Sequence, residues 1–235
     1  MTASKEKVVY ITGGTKGIGR GIAEALVATG YKVAISGRQL EEVERVAREI
    51  GTTEQVLALA SDVTQYQDEV EAVAKIVAKF GRLDVVIANA GVGIFASIEE
   101  LSIEDWNTMI DTNLTGVFHT LKASVAQLKQ NKGYYISVAS LAGINFFATG
   151  SGYNASKFGV VGFTQAAMLD LRAHDVKVTT ILPGSVSSHF NNHEPSEKDA
   201  WKIQPEDIGA LVVDLLKMNP RTLPSKIEIR PLKTS

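Results

Sequence analysis

The chain alternates short β-branched runs with longer stretches of helical period along its whole length, and few architectures accept that rhythm. Seven runs read as strands: Lys7 to Thr12, Lys32 to Ser36, Gln55 to Ala60, Leu83 to Asn89, Gly133 to Ser140, Lys177 to Leu182 and Lys226 to Ile229. Helical patterns fill the gaps, at Gly17 to Thr29, Leu40 to Ile50, Tyr66 to Phe80, Ser102 to Asn131, Ser151 to His174 and Pro205 to Lys217. Such alternation is the mark of βαβ units around a buried parallel sheet. The predicted fold class is therefore α/β: one doubly wound parallel sheet of about seven strands with helices on both faces. No linker rich in Pro, Gly or Ser, no fixed repeat and no low-complexity tract divides the 235 residues, so a single domain spanning 1–235 is expected. The one long irregular stretch, Pro183 to Gln204, follows a strand's carboxyl end. Open α/β sheets bind ligands at that edge, so 183–204 is expected to be a substrate lid.

Composition narrows the function. A net charge of -2, with Lys and Arg scattered along the chain, offers no basic field for nucleic acid or an anionic membrane. The absence of cysteine removes disulfides, thiolate nucleophiles and Cys-ligated metals. No apolar run approaches the roughly 18 residues of a membrane span. The charged start, Met1 to Lys7, leads into an apolar run too short for a signal peptide. A cytoplasmic protein without nucleic-acid or membrane partners is expected.

The first strand runs into Thr12-Gly13-Gly14-Thr15-Lys16-Gly17-Ile18-Gly19, and a helix follows at once. Strand, glycine turn and helix in that order aim backbone N–H groups and the positive helix end at a pyrophosphate, the Rossmann arrangement for a dinucleotide. Gly13, Thr15, Lys16, Gly17, Ile18 and Gly19 are the candidate contacts. The second strand ends in Ser36-Gly37-Arg38, where an NAD-preferring site usually places a carboxylate for the ribose 2′-hydroxyl. Arg38, with Lys16, suits a 2′-phosphate instead, which points to NADP(H).

Further along, Tyr153-Asn154-Ala155-Ser156-Lys157 puts a phenol and an ammonium on one helix face. A nearby cation favours phenolate, so Lys157 is expected to draw the Tyr153 pKa from near 10 towards neutrality, where tyrosine exchanges protons. Ser140 stands at the end of the fifth strand, thirteen residues before Tyr153, where its hydroxyl can hold a carbonyl oxygen.

Together these residues resemble the short-chain dehydrogenase/reductase family. The match comprises Thr12-Gly13-x-x-x-Gly17-x-Gly19, Asp62-Val63, Asn89-Ala90-Gly91, Asn113, Ser140, Tyr153-x-x-x-Lys157 and Pro183-Gly184, in order and over essentially the full chain. The resemblance implies that Asp62 and Val63 contact the adenine and that Asn89, Ala90 and Gly91 line the cofactor. It implies that Asn113 kinks its helix and holds a water relaying protons to Lys157, which also binds the nicotinamide ribose. Pro183, Gly184 and Val186 would pack on the nicotinamide. Ser188 would lie near the pyrophosphate or carboxamide, at a position where the family often has threonine. Asn113, Ser140, Tyr153 and Lys157 would be the catalytic set. Dimers or tetramers through 102–131 and 151–174 are implied as well.

The expected activity is NADPH-dependent reduction of a ketone, aldehyde or 3-oxoacyl thioester to an alcohol. Oxidation of a sugar or steroid alcohol by the same groups is the enzymatic alternative. A redox-sensing regulator without turnover would have no use for the full catalytic set. His189, His193 and Glu194 have the spacing of metal ligands but little helical period, so no metal is expected. Neither Ser137 nor Ser140 sits in a G-x-S-x-G elbow. Ile94, Phe95, Leu141, Ile144, Phe146, Phe147, Phe190 and Trp201 collect where a substrate should lie, so a mostly apolar pocket is expected.

Overall fold

The protein's structure, a computed structural model, describes residues 7–233. The charged start, Met1 to Glu6, and the last two residues lie outside the described residues. Seven strands form one parallel sheet: β1 Val8–Thr12, β2 Lys32–Gly37, β3 Val56–Ala60, β4 Val85–Ala88, β5 Tyr134–Val138, β6 Lys177–Pro183 and β7 Lys226–Ile229. Their order across the sheet is β3-β2-β1-β4-β5-β6-β7. The chain builds outward from β1 to β3, then returns to place β4 on β1's other side. Connections leaving the carboxyl ends of β1 and β4 therefore diverge and open a crevice, the place where a doubly wound sheet receives a ligand.

Side-chain alternation along β1 decides which helices cover which face. Val9 and Ile11 pack with Ile22 and Leu26 of α1 (Gly17–Ala28), Val43 and Val46 of α2 (Leu40–Ile50), and Ile208 and Val212 of α7 (Pro205–Lys217). Val8 and Tyr10 turn the other way, onto Ile76 of α3 (Tyr66–Phe80), Leu121 of α5 (Gly116–Asn131) and Val160 of α6 (Ser151–Leu171). All five residues of β1 are buried, as a central strand covered on both faces must be.

The segment read as one helix from Ser102 to Asn131 is not continuous. Helix α4 (Ile103–Ile110) gives way to a π-turn at Asp111–Thr115 before α5 begins. The Gly116 N–H reaches back five residues to Asp111, which widens the backbone there by one residue. The stretch after β6 is likewise more ordered than its weak period implies. Short 3₁₀ turns form at Phe190–Asn192 and Glu197–Asp199, and a parallel bridge between Val186 and Ile203 fastens its two ends. No helix among the described residues is long and apolar enough to cross a membrane.

Candidate active site at the carboxyl edge of the sheet

The glycine turn is stitched to the end of β4 before any ligand is considered. Thr12 Oγ1 accepts the Asn89 and Ala90 N–H groups at 3.0 and 3.1 Å, and Asn89 Nδ2 donates to the Thr12 and Gly13 carbonyls, each at 3.0 Å. Gly13 takes a φ of +67°, and a Cβ on it would lie 2.9 Å from Ala90 Cα. A Cβ on Gly19 would collide with the Gly13 carbonyl. The turn is thus a cradle of bare backbone. Lys16 precedes α1, and among the described residues no side chain caps that helix start and no acidic residue occupies its first turn. Its N–H groups and positive end remain available to an anion.

Three further elements close around the cradle. A Cβ on Gly17 would sit 3.2 Å from Ser188 Cβ, so the loop after β6 crosses the start of α1. Pro183 closes β6, and Gly184 N donates to Ile229 O at 2.8 Å while Val186 forms the bridge to Ile203. Thr15 lies against Gly37 at the end of β2, and Ile18 packs on the core. Arg38 and Lys16 are both exposed at this end. Beyond β3, Asp62 Oδ1 accepts the Thr64 N–H and hydroxyl at 3.0 and 2.8 Å, while Val63 is buried under Gly116.

At the other end of the crevice, α6 carries Tyr153 and Lys157 one turn apart, both buried. Lys157 Nζ donates to the Val138 carbonyl at the tip of β5, at 3.1 Å, and lies 5.8 Å from the centre of the Tyr153 ring. Ser140 begins the 3₁₀ turn Leu141–Gly143, its Oγ accepting the Ala142 N–H at 3.1 Å. Burial raises the Tyr153 pKa to about 12, against a smaller downward pull from a hydrogen bond with Ser140. Burial also lowers Lys157 to about 8. The sequence-based expectation that the lysine would bring the phenol towards neutrality is corrected here: desolvation penalises the charged form of each group and is the largest cause of both shifts.

Asn113 sits in the π-turn and is fully buried. Its Oδ1 accepts the Val92 N–H and its Nδ2 donates to the Val92 carbonyl, both at 2.8 Å, and Nδ2 also donates to Ser156 Oγ at 3.0 Å. Ser156 in turn donates to the Tyr153 carbonyl at 2.8 Å. The expected helix irregularity is present. The amide itself is engaged with Val92 and Ser156, so a water held at this turn would have to use main-chain groups. A Cβ on Gly91 would lie 3.2 Å from Asn113 Oδ1 and 3.6 Å from Lys157 Nζ, so the three residues meet at one point.

Three contributors were not singled out from sequence: the Thr12 hydroxyl, Ser156 and Asn154. Asn154 Nδ2 donates to the Ala142 and Asn145 carbonyls, each at 2.7 Å, and its Oδ1 accepts from Phe147 N at 3.4 Å. It thereby pins the loop after β5. The available signal was a run of polar residues inside an otherwise small and apolar helix. The loop after β6 carries His193, which pairs with Asp199 at 2.6 Å rather than with His189. Asp199 also meets Lys202, and the hydrogen bonds from Lys202 and His193 hold its carboxyl far below the usual range. Among the described residues no group of three His, Asp or Glu is placed to hold a metal.

Comparison with known proteins agrees with this arrangement. The family model described as short chain dehydrogenase matches residues 7–199. An uncharacterized oxidoreductase of Staphylococcus aureus (strain MW2) is 33% identical over 235 residues, covering 99% of this chain and 100% of the relative. Among solved structures, an alcohol dehydrogenase from the archaeon Thermococcus sibiricus, complexed with 5-hydroxy-NADP, superposes with a TM-score of 0.92 at 31% identity, covering 98% of both chains. A 3-ketoacyl-(acyl-carrier-protein) reductase from Brucella melitensis, complexed with NADH, gives 0.89 at 26% identity, covering 97% of this chain and 99% of that one. With its seven-stranded parallel sheet, its glycine cradle and its Tyr153–Lys157 helix, the chain belongs to the short-chain dehydrogenase family of oxidoreductases.

Proposed function

We propose that the chain is an NADP(H)-dependent reductase of small-molecule or acyl-thioester carbonyls, working as one domain with 183–204 as its lid. The observation that carries this reading is the convergence of Ser140, Tyr153, Lys157 and Asn113 at the carboxyl ends of β4 and β5, beside a bare backbone cradle. The cradle suits a dinucleotide, because an anion there meets backbone N–H groups at a helix start that no side chain caps. Gly13, Thr15, Lys16, Gly17, Ile18, Gly19 and Ser188 would hold its pyrophosphate, and Asp62 and Val63 its adenine. Asn89, Ala90, Gly91, Pro183, Gly184 and Val186 would line the nicotinamide half. Arg38 and Lys16, with no carboxylate at Gly37, support NADP(H) over NAD(H).

When bound, the reduced cofactor supplies the hydride for the carbonyl carbon. Tyr153, kept a phenol at neutral pH by its burial, donates a proton to the carbonyl oxygen, which Ser140 orients. Lys157 would hold the nicotinamide ribose and, through the π-turn at Asn113, would return a proton to Tyr153. The protein acts in the cytoplasm, as a homo-oligomer.

The test is depletion of NADPH across acyl thioesters, aldehydes, ketones and quinones, by the wild type and by Tyr153→Phe. At least one carbonyl should be reduced, and the variant should lose about 10²-fold or more in kcat while still binding NADPH. Unchanged turnover in the variant would refute the proton-transfer role. Equal or better efficiency with NADH would refute the cofactor assignment.

A further inference from the structure

Two phenylalanines meet the Tyr153 ring and a third stands against one of them, the three coming from three different loops. Phe95, after β4, meets the Tyr153 ring edge-on with centroids 5.5 Å apart and an interplanar angle of 83°. Phe147, after β5, stands against Phe95 at 5.6 Å. Phe190, from the loop after β6, lies 5.5 Å from Tyr153 and 6.5 Å from Phe95. Each of the three leaves more than a third of its surface open. This wall is built rather than incidental. Ala96 N donates to Thr149 O at 3.0 Å, which ties the first loop to the second, and Asn154 Oδ1 holds the Phe147 N–H. The Phe190 ring rests on Gly93, where any Cβ would collide with it, and the next residue, Asn191, turns the chain in the left-handed region with φ +55°.

The chemistry of this wall is one-sided. Phenylalanine offers faces and edges but no donor, acceptor or charge. No lysine or arginine among the described residues stacks on Phe95, Phe147 or Phe190; the cation–ring contacts involve Phe80, Tyr134, Tyr153 and Trp201. A carboxylate or phosphate on the substrate would lose its water here and gain no partner. A flat ring attached to the carbonyl would gain edge and face contacts that a saturated ring of the same size makes less well.

We infer that the substrate is an uncharged carbonyl bearing an aromatic ring or a similarly flat apolar group, gripped by Phe95, Phe147 and Phe190, with Phe190 as the specificity-determining residue. This rests on the carbonyl-reductase reading above. The reaction is an ordinary two-electron reduction. Hydride from the reduced nicotinamide forms the new C–H bond, the Tyr153 proton forms the O–H bond, and an aryl alcohol and oxidised cofactor leave.

The experiment compares kcat/KM for acetophenone, cyclohexyl methyl ketone, benzoylformate and butane-2,3-dione, in the wild type and in Phe190→Leu, with acetophenone binding followed independently by saturation-transfer NMR. Acetophenone should exceed its saturated analogue by about tenfold and anionic benzoylformate by at least as much. Phe190→Leu should bring the aryl-to-cyclohexyl ratio close to one, chiefly through KM, and weaken saturation transfer to the acetophenone ring. A wild-type ratio near one, a preference for benzoylformate, or an unaltered ratio in Phe190→Leu overturns the inference. Should Phe190→Leu not fold, Phe147→Leu is read by the same ratio. Reduction of butane-2,3-dione without aryl preference removes this inference and leaves the carbonyl-reductase reading intact, whereas failure to reduce any carbonyl removes both.

Discussion

Lys157 shows what the site demands of a single residue. Its ammonium is buried with the Val138 carbonyl as hydrogen-bond acceptor, and burial lowers its pKa from 10.5 to about 8. Between those values the unfolded chain holds a proton that the folded chain has released, so stability rises with pH from about 8 to 10.5. Tyr153 acts in the opposite sense. Its folded pKa of about 12 lies above the usual 10, so the folded chain keeps a proton that the unfolded chain loses, and stability falls across that window. Replacing Lys157 with Met should therefore stabilise the protein at pH 7 by up to about 3 kcal/mol while abolishing reduction. Urea denaturation should find that gain shrinking by pH 10; an equal gain at both values would mean that the lysine's ionisation is not its source. The lysine was legible from its spacing to Tyr153. The direction of the tyrosine's shift was not, because spacing specifies a neighbour and says nothing of how much water the fold removes from both.

Between elements, the join that matters is the one Asn154 makes from α6 to the loop after β5. Its amide satisfies two loop carbonyls at 2.7 Å. Asn154→Ala would leave them without that partner in a largely buried place, at a penalty of about 2 kcal/mol, which lowers the thermal midpoint by several degrees. Amide exchange should quicken at 142–147, and a variant that melts earlier without that local change would place the effect elsewhere. The elements themselves were readable in advance. Strand β7 and helices α2, α3 and α7 run over the residues that alternation and helical period marked out. Helical period alone did not mark the break at Asp111–Thr115, which only the family resemblance implied through Asn113; that residue bonds to Val92, twenty-one positions away in sequence. For the same reason the glycine turn, Ser140, Tyr153 and Lys157 stood out from sequence, while the Thr12 hydroxyl, Ser156 and Asn154 join the candidate site only through contacts between elements.

On the scale of the whole molecule, the outer faces of α5 and α6 leave Phe118, Phe158 and Leu169 each more than two-fifths exposed, and Phe118 stands edge-on to Phe163 at 6.0 Å. Long neighbouring helices with apolar outer faces are the surfaces through which a dimer or tetramer is expected to form. Light scattering should give a multiple of the chain mass for the wild type and a smaller assembly for Phe158→Glu; a wild type that is already monomeric would dismiss the idea. The parallel sheet with helices on both faces followed from alternation, but its strand order and the fastening of Val186 to Ile203, which joins residues with no shared pattern, emerged only in three dimensions. That fastening means the fold has already closed the loop that carries Phe190. Chain added or removed between those two residues changes a ring whose ends are fixed, and doubling its length would disfavour closure by only about 0.6 kcal/mol. The sheet, the glycine cradle and the proton-donating helix need not feel such a change. On the proposed reading of 183–204 as the substrate lid, substrate choice would then be adjustable in one segment at little thermodynamic penalty, with the rest of the fold left as it is.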